Sequence, residues 1–440
     1  MKTCRQTDGE RRPAGSGRLW RRLTAAAAAA GLLLAAGACA AAAPELPQSA
    51  SPSPSPSPSP TVATARISIK PGNGVQRAQP QRGLEVTVRD GTIVSVKVRN
   101  RGEAVFGKLD STSTRWHSRW ALPTDTQFLV RATAIDAAGR TVTKTVRFRT
   151  LAPQTSASAR IFQGSGSTYG VGMPVMLEFG RPVSDKKAVE GALALTTSKR
   201  IVGAWYWESD SKLYFRPRAY WPAKTDVSVT GHFDGVQISP GVYLTNTLRQ
   251  HFRIGRSLIV VVSAAEHRMQ VYLDRHRYAT WPISTGRPGK ETPNGTYLSI
   301  YKQNPAHMVG PDYDIMVPYS VLFTWGGDFI HAAPWSVGVQ GYANVSHGCV
   351  NLSPERAATY YGMSITGDPV TVSGSPKAGT WGDGWTIWFL SWTDLLKGSA
   401  LHKAVRAGPD GSTWVRPGAL KKASAKAPLG RPKPDNAAPY

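Results

Sequence analysis

Between Thr61 and about residue 255 the apolar residues come in short runs that alternate with polar ones, as in Leu84-Glu85-Val86-Thr87-Val88, Ile93-Val94-Ser95-Val96-Lys97-Val98 and Thr141 to Phe148. A period of two sends successive side chains to opposite faces of a strand, a pattern that a helix cannot bury on one side. Turn formers close the runs, at Asp90-Gly91 and from Asp136 to Gly139. Short strands with frequent turns predict a small antiparallel sandwich over 61–151. Residues 152–255 have the same texture, in Val175 to Phe179, Ala204 to Trp207, Leu213 to Pro217 and Val227 to Val229. The two regions also close alike, on Arg147-Phe148-Arg149 and His251-Phe252-Arg253, which suggests a duplicated module. Both read as spacers without chemistry; the alternative is that their basic residues bind an anionic polymer.

A chain of 440 residues exceeds one compact core, so further modules follow. The region 256–373 opens on the apolar strand Leu258 to Val262, continues with Met269 to Leu273, and is mostly strand and loop. One helix is predicted from Ser353 to Gly362, with Ser353 as N-cap and Pro354 in the first turn. Residues 374–406 hold Trp381, Trp385, Trp388 and Trp392, expected to pack against the preceding domain. The basic, Lys-, Ala- and Pro-rich stretch 407–440 reads as a disordered tail.

The formal charge is +25, from 53 Lys and Arg against 28 Asp and Glu, so the natural partner is a polyanion. The first residues say where it would be met. Seven basic residues precede the apolar, Ala-rich run Leu23 to Ala38, which is an export signal. Residues 1–39 therefore read as a signal peptide, ending in Ala36-Gly37-Ala38-Cys39, a bacterial lipobox with alanine where leucine is usual. A plain small-residue cleavage site in Ala40 to Ala43 is the alternative. The Ser-Pro repeat within 40–60 is an extended spacer. Of three cysteines, Cys4 lies in the leader and Cys39 would carry the lipid, which leaves Cys349 as the one thiol of the exported body.

An unpaired thiol outside the cytoplasm is a liability unless it is buried or used. As a nucleophile it needs a base, because a free cysteine is only a few per cent ionised at neutral pH. His347 lies two residues before it, and His331 eighteen residues before it in Phe329-Ile330-His331-Ala332-Ala333-Pro334-Trp335. Gly348 lets the backbone come close to a substrate, so amides near Gly348 and Cys349 could hold an oxyanion. Inert packing of Cys349 remains open on residue type alone. Zinc held by the two histidines and the cysteine is a weaker reading, since there is no His-Glu-x-x-His and no second cysteine.

His331, fourteen residues, then Ser346-His347-Gly348-Cys349-Val350-Asn351 resembles the signature of the L,D-transpeptidase catalytic domain, the YkuD family. Ser284-Thr285-Gly286 and Thr292-Pro293-Asn294-Gly295-Thr296-Tyr297 are similar to that family's upstream segment, and His331 to Ser336 to its actinobacterial members. The resemblance implies a mainly β chain: immunoglobulin-like sandwiches at 61–151 and 152–255, a β-rich catalytic domain at 256–373 with a short helix after Cys349, and a Trp-rich extension. It implies that His331, oriented by the main-chain carbonyl of Ala332, deprotonates Cys349. The thiolate then attacks a peptidoglycan tetrapeptide stem, D-alanine leaves, and a diaminopimelate amine resolves the thioester into a 3→3 cross-link. Ser346, His347 and Asn351 would shape the donor pocket, Trp335 its wall, and Tyr313, Met308 and Trp325 a lid within 303–326. No metal or organic cofactor and no nucleic acid is implied; the partners are stem peptides and, through lipid on Cys39, the membrane facing the cell wall. The alternatives are an L,D-carboxypeptidase with water as acceptor and a catalytically silent wall-binding lipoprotein.

Overall fold

The computed structural model describes residues 63–102 and 104–420. The leader, Cys39 and the Ser-Pro spacer lie outside the described residues, as does the tail beyond 420.

The chain is mainly β. In the first sandwich, Arg66–Lys70, Glu85–Arg89, Arg115–Ser118 and Gly107–Leu109 form one sheet, and Thr92–Arg99, Gln127–Ile135 and Thr141–Arg149 the other. The alternation read from the sequence sets the burial: Val86, Phe128, Val130, Val146 and Phe148 face inward. Phe128 and Phe148 pair across the strands with ring centroids 5.0 Å apart. The second sandwich sets Thr168–Tyr169, Leu248–Ile254, Thr225–Gly231 and Leu193–Thr197 against a six-stranded sheet. Trp205, Phe215, Val227 and Phe252 fill the space between.

That six-stranded sheet corrects the reading of the C-terminus. Ala404–Gly408 and Gly411–Val415 form a hairpin whose first strand pairs antiparallel with Ile201–Trp207 of the second sandwich, Ile201 opposite Ala407. Residues 407–420 are therefore ordered. The basic residues of 407–440 all lie beyond Val415, and Ala404, Val405 and Ala407 are buried on the sheet. The Trp-rich segment packs against the preceding domain as expected and, in addition, against the second sandwich. Trp388 packs with Ala204 and Leu298, and its Nε1 donates to the Gly172 carbonyl at 2.7 Å. The buried Arg216 guanidinium stands 4.4 Å over the Trp388 ring and donates to the carbonyls of Ile387 and Leu390 at 3.2 and 2.8 Å.

In the catalytic region Leu258–Ser263 lies at the centre of a five-stranded sheet, between Arg268–Leu273 and a parallel Pro369–Ser373. A second sheet runs Lys302–Gln303, Ser320–Leu322, Phe329–Ala332, Val350–Leu352. Val260, Val262, Tyr297, Phe323, Ile330, Val350 and Tyr360 form the core. The predicted helix spans Pro354–Met363, with the Ser353 hydroxyl accepting from the Arg356 N–H. Ala306–Gly310 and Tyr313–Val317 make a separate hairpin.

Glu190 of the second sandwich, fully buried, clasps the C-terminal segment. Its carboxylate accepts from Trp207 Nε1 (2.9 Å), Ser399 Oγ (2.8 Å), and the Ala400 and Leu401 amides (2.7 and 3.2 Å). Glu190→Ala strands these donors in a dry interior and is expected to cost about 3–5 kcal/mol. A lowered urea midpoint with a native-like circular dichroism spectrum checks this; an unchanged midpoint means that the clasp carries no stability.

Candidate active site

Two parallel neighbours place the candidate residues. Phe329–Ala332 and Val350–Leu352 pair in register, with His331 beside Asn351. Cys349 lies in the turn just before Val350–Leu352 and packs on the apolar cluster that holds Phe329, which, two residues before His331, points to the same strand face. The Phe329 N–H donates to Cys349 Sγ at 3.4 Å, and the thiol points to the Gly327 carbonyl at 3.8 Å.

His331 is buried, and its Nδ1 lies 2.9 Å from the Ala332 carbonyl. A carbonyl only accepts, so Nδ1 carries the proton and Nε2 keeps its lone pair, the tautomer a base needs. Cys349 is half-buried against the cluster of Ile300, Ala306, Leu322 and Phe329, on which Met308 and Trp385 also pack. This apolar setting pushes the thiol up to about 12 and the imidazole down to about 4, burial being the main cause of both. The Asp328 carboxylate adds to the rise at Cys349. Both groups are neutral at rest.

The Ser346 to Cys349 turn is held from inside. Ser346 Oγ donates to the Cys349 carbonyl at 2.6 Å and accepts from the Gly348 N–H at 3.2 Å. Ser346 is thereby a buried brace for the turn, not the pocket-lining residue expected. The same contact commits the Gly348 amide, so the expected oxyanion role does not fit it. Gly348 is glycine for another reason: its φ is +133°, and a Cβ would stand 2.3 Å from Asp328 Oδ1. Asn351 is also turned inward; Nδ2 donates to Ser336 Oγ at 3.1 Å, while Oδ1 has no partner among the described residues.

The upstream segments clamp this turn. The Ser346 N–H donates to the Thr285 carbonyl at 3.0 Å, and that of Asn351 to the Ser284 carbonyl at 2.8 Å. Thr292 Oγ1 donates to the Gly348 carbonyl at 2.5 Å and accepts from the Gly286 N–H at 3.0 Å.

His347 stands apart from the thiol chemistry. Its Nε2 lies 2.6 Å from an Arg287 guanidinium nitrogen and 2.8 Å from Asp312 Oδ2. One ring nitrogen either accepts from Arg287 or donates to Asp312, so the two contacts are alternatives set by its proton. Asp312 sits at the hairpin tip, beside Tyr313, whose ring lies 5.0 Å from that of His347. Of the other lid and wall candidates, Met308 is half-buried on the apolar cluster that also holds Cys349, and Trp325 is exposed with its ring 6.1 Å from Trp385. Trp335 is exposed, 6.1 Å from the His331 ring. Sequence reading missed Arg287, Thr292, Asp312, Asp328 and Trp385. Thr292 belongs to a legible motif and Arg287 adjoins one, though neither was given a role in the site; nothing local distinguishes Asp312 or Asp328. No three His, Cys, Asp or Glu side chains gather as a metal site among the described residues.

Comparison with known proteins gives two family matches, the L,D-transpeptidase catalytic domain over residues 257–372 and the bacterial Ig domain over 75–237, which crosses from the first sandwich into the second. The chain is 33% identical over 352 residues to L,D-transpeptidase 5 of Mycobacterium tuberculosis strain H37Rv, covering 76% of this chain and 77% of the relative. It is 29% identical over 329 residues to L,D-transpeptidase 2 of strain CDC 1551, covering 72% of this chain and 80% of the relative. With L,D-transpeptidase 1 of strain H37Rv it shares 36% over 226 residues, 49% of this chain and 84% of that one.

A neutral thiol and a neutral imidazole predict the pH profile of chemical labelling. Iodoacetamide alkylation of Cys349 is expected to rise about tenfold per pH unit from 7 to 10, following the thiolate fraction. Mass spectrometry of the labelled protein reads it. A labelling plateau from pH 5 to 8 would instead reveal a preformed thiolate–imidazolium pair.

Proposed function

The chain belongs to the L,D-transpeptidase family, and from that premise we propose that it cross-links peptidoglycan stem peptides through a thioester on Cys349. The observation that carries this reading is the His331 tautomer: Nδ1 is tied to the Ala332 carbonyl, leaving Nε2 to take a proton on the sheet face that carries the sulfur.

The thiol proton passes to His331 Nε2 as Sγ attacks the carbonyl of the third stem residue, a diaminopimelate. Charge builds on the carbonyl oxygen, and with the Gly348 amide engaged by Ser346 the adjacent Cys349 amide is the donor left in the turn to meet it. His331 returns its proton to the leaving D-alanine, and the acyl group stays on sulfur. A diaminopimelate side-chain amine of a second stem then attacks the thioester and gives up its proton to His331, which passes it to the Cys349 sulfur as the C–S bond breaks, and the 3→3 cross-link departs. Starting from neutral partners suits this cycle, because proton transfer is drawn by the arriving carbonyl and the resting thiol is protected from oxidation. His347, tied to Arg287 and Asp312, holds the lid hairpin against the turn instead of exchanging protons.

The export signal and the Cys39 lipobox complete the reading: a lipid-anchored enzyme outside the membrane, with the Ser-Pro spacer and the two sandwiches setting its reach into the wall. Loss of membrane association in Cys39→Ala cells tests the anchor.

Incubating the purified protein with disaccharide-tetrapeptide is expected to release D-alanine and yield a cross-linked dimer by mass spectrometry. Tripeptide without dimer assigns water as the acceptor; neither product, with Cys349 reduced, defeats the transferase reading. Cys349→Ala is expected to abolish turnover and carbapenem acylation while the fold persists. His331→Ala should lower kcat by at least about 10²-fold, as expected for a lost general base, and far more than His347→Ala does. Equal losses would mean that the base is misassigned.

A further inference from the structure

The outer face of the three-stranded sheet in the first sandwich is built against its own stability. Register places Lys97 directly opposite Arg131, and Arg99 and Arg147 flank Leu129 in the next row. All four cations are exposed, and none makes an ion pair among the described residues. Like charges directly opposite across antiparallel strands destabilise the pair. Elsewhere on this sandwich arginines do find carboxylates, as Arg115 finds Glu85 and Arg149 finds Asp125. The opposed pair therefore calls for charge from outside the chain.

The surroundings narrow its chemistry. Residues 61–151 contain 16 Lys and Arg and 6 Asp and Glu, so the sandwich as a whole attracts anions. Beside the cations the face carries Thr133, Thr143, Thr145 and Gln127. Below Arg147 a depression of about 330 Å³ is lined by Asn73, Gln76, Gln127 and Arg149. These polar groups suit a ligand rich in hydroxyls as well as charge. Leu129, the apolar residue between the cations, is half-buried, so there is no apolar anchor among them to enter a lipid layer. Successive outward residues of a strand stand about 6.6 Å apart, a spacing that a flexible polymer with one charge per repeat can follow. Three of the four cations are arginines, whose planar fork pairs bidentately with phosphate oxygens.

We infer that this sheet face, centred on Lys97, Arg99, Arg131 and Arg147, is a docking surface for an extended phosphodiester polymer with hydroxyl-bearing repeats. It lies in the first sandwich, apart from the Cys349 site, and does not depend on the transpeptidase reading.

The test uses the whole purified protein and poly(glycerol phosphate), with binding followed by biolayer interferometry across a salt series. The native protein should bind, with affinity falling as salt rises. Lys97→Gln with Arg131→Gln should weaken binding at least tenfold, whereas Arg66→Gln with Lys70→Gln, on the opposite sheet, should leave it nearly unchanged. Arg131→Glu gives a second readout: it should raise the melting temperature, by replacing the like-charge pair with an opposite one, while binding falls. Equal losses from the two double variants would reduce the effect to net charge and overturn the site. Equal binding of polyglutamate would overturn the phosphate chemistry. Capture by vesicles of anionic lipid without capture by the polymer would make the face a membrane dock and overturn the proposal.

Discussion

The chemistry of this chain depends on one strand pairing, the parallel register that sets His331 beside Asn351. A shift of one residue would send His331 to the other face, away from Cys349. The register is fixed from several sides at once. Ile330, Val350 and Leu352 are locked in the core, the Ser284 and Thr285 carbonyls grip the second strand and its turn, and the helix at Pro354 starts immediately after it. The S-T-G and T-P-N-G segments thus matter as the clamp of the catalytic turn. The Ser284 and Thr285 carbonyls and the Thr292 hydroxyl point at the backbone of residues 346–351.

Buried polar groups perform the same service between modules. Arg216 and Glu190 are both fully buried in the second sandwich, and each directs hydrogen bonds to the C-terminal segment. Desolvating such groups is costly unless each lone pair and proton is matched, so the segment they hold has one position. That segment carries Trp385, which packs in the apolar cluster with Cys349 and edge-on to Trp325. The wall of the reactive site is therefore secured by the second sandwich, at a distance from the chemistry. This gives the sandwich a mechanical part beyond that of a spacer.

Much of this was legible locally. Alternation disclosed the sandwich strands, and Val86, Phe128 and Phe148 face inward as their period required. Ser353 and Pro354 announced the helix, and the spacing of His331 to Cys349 announced the site. Three signals misled. The basic stretch from Arg416 onward concealed an edge hairpin just before it, because only alternate residues of a strand need be apolar. Ser346 and Asn351 looked like pocket residues, yet their polar atoms turn inward to brace the loop. Gly348 looked like an amide kept open for an oxyanion, whereas its positive φ and the nearby Asp328 carboxylate account for the missing side chain.

The sequence by itself determined the periodicities, Cys349 with His331 eighteen residues before it, and the family motifs, since each is a matter of residue type and short spacing. Tertiary structure alone decided which nitrogen of His331 is free, that Asp312 and Arg287 share His347, and that like charges oppose each other at Lys97 and Arg131. Those facts join residues far apart in the chain, and only strand register and burial bring them within reach of one another.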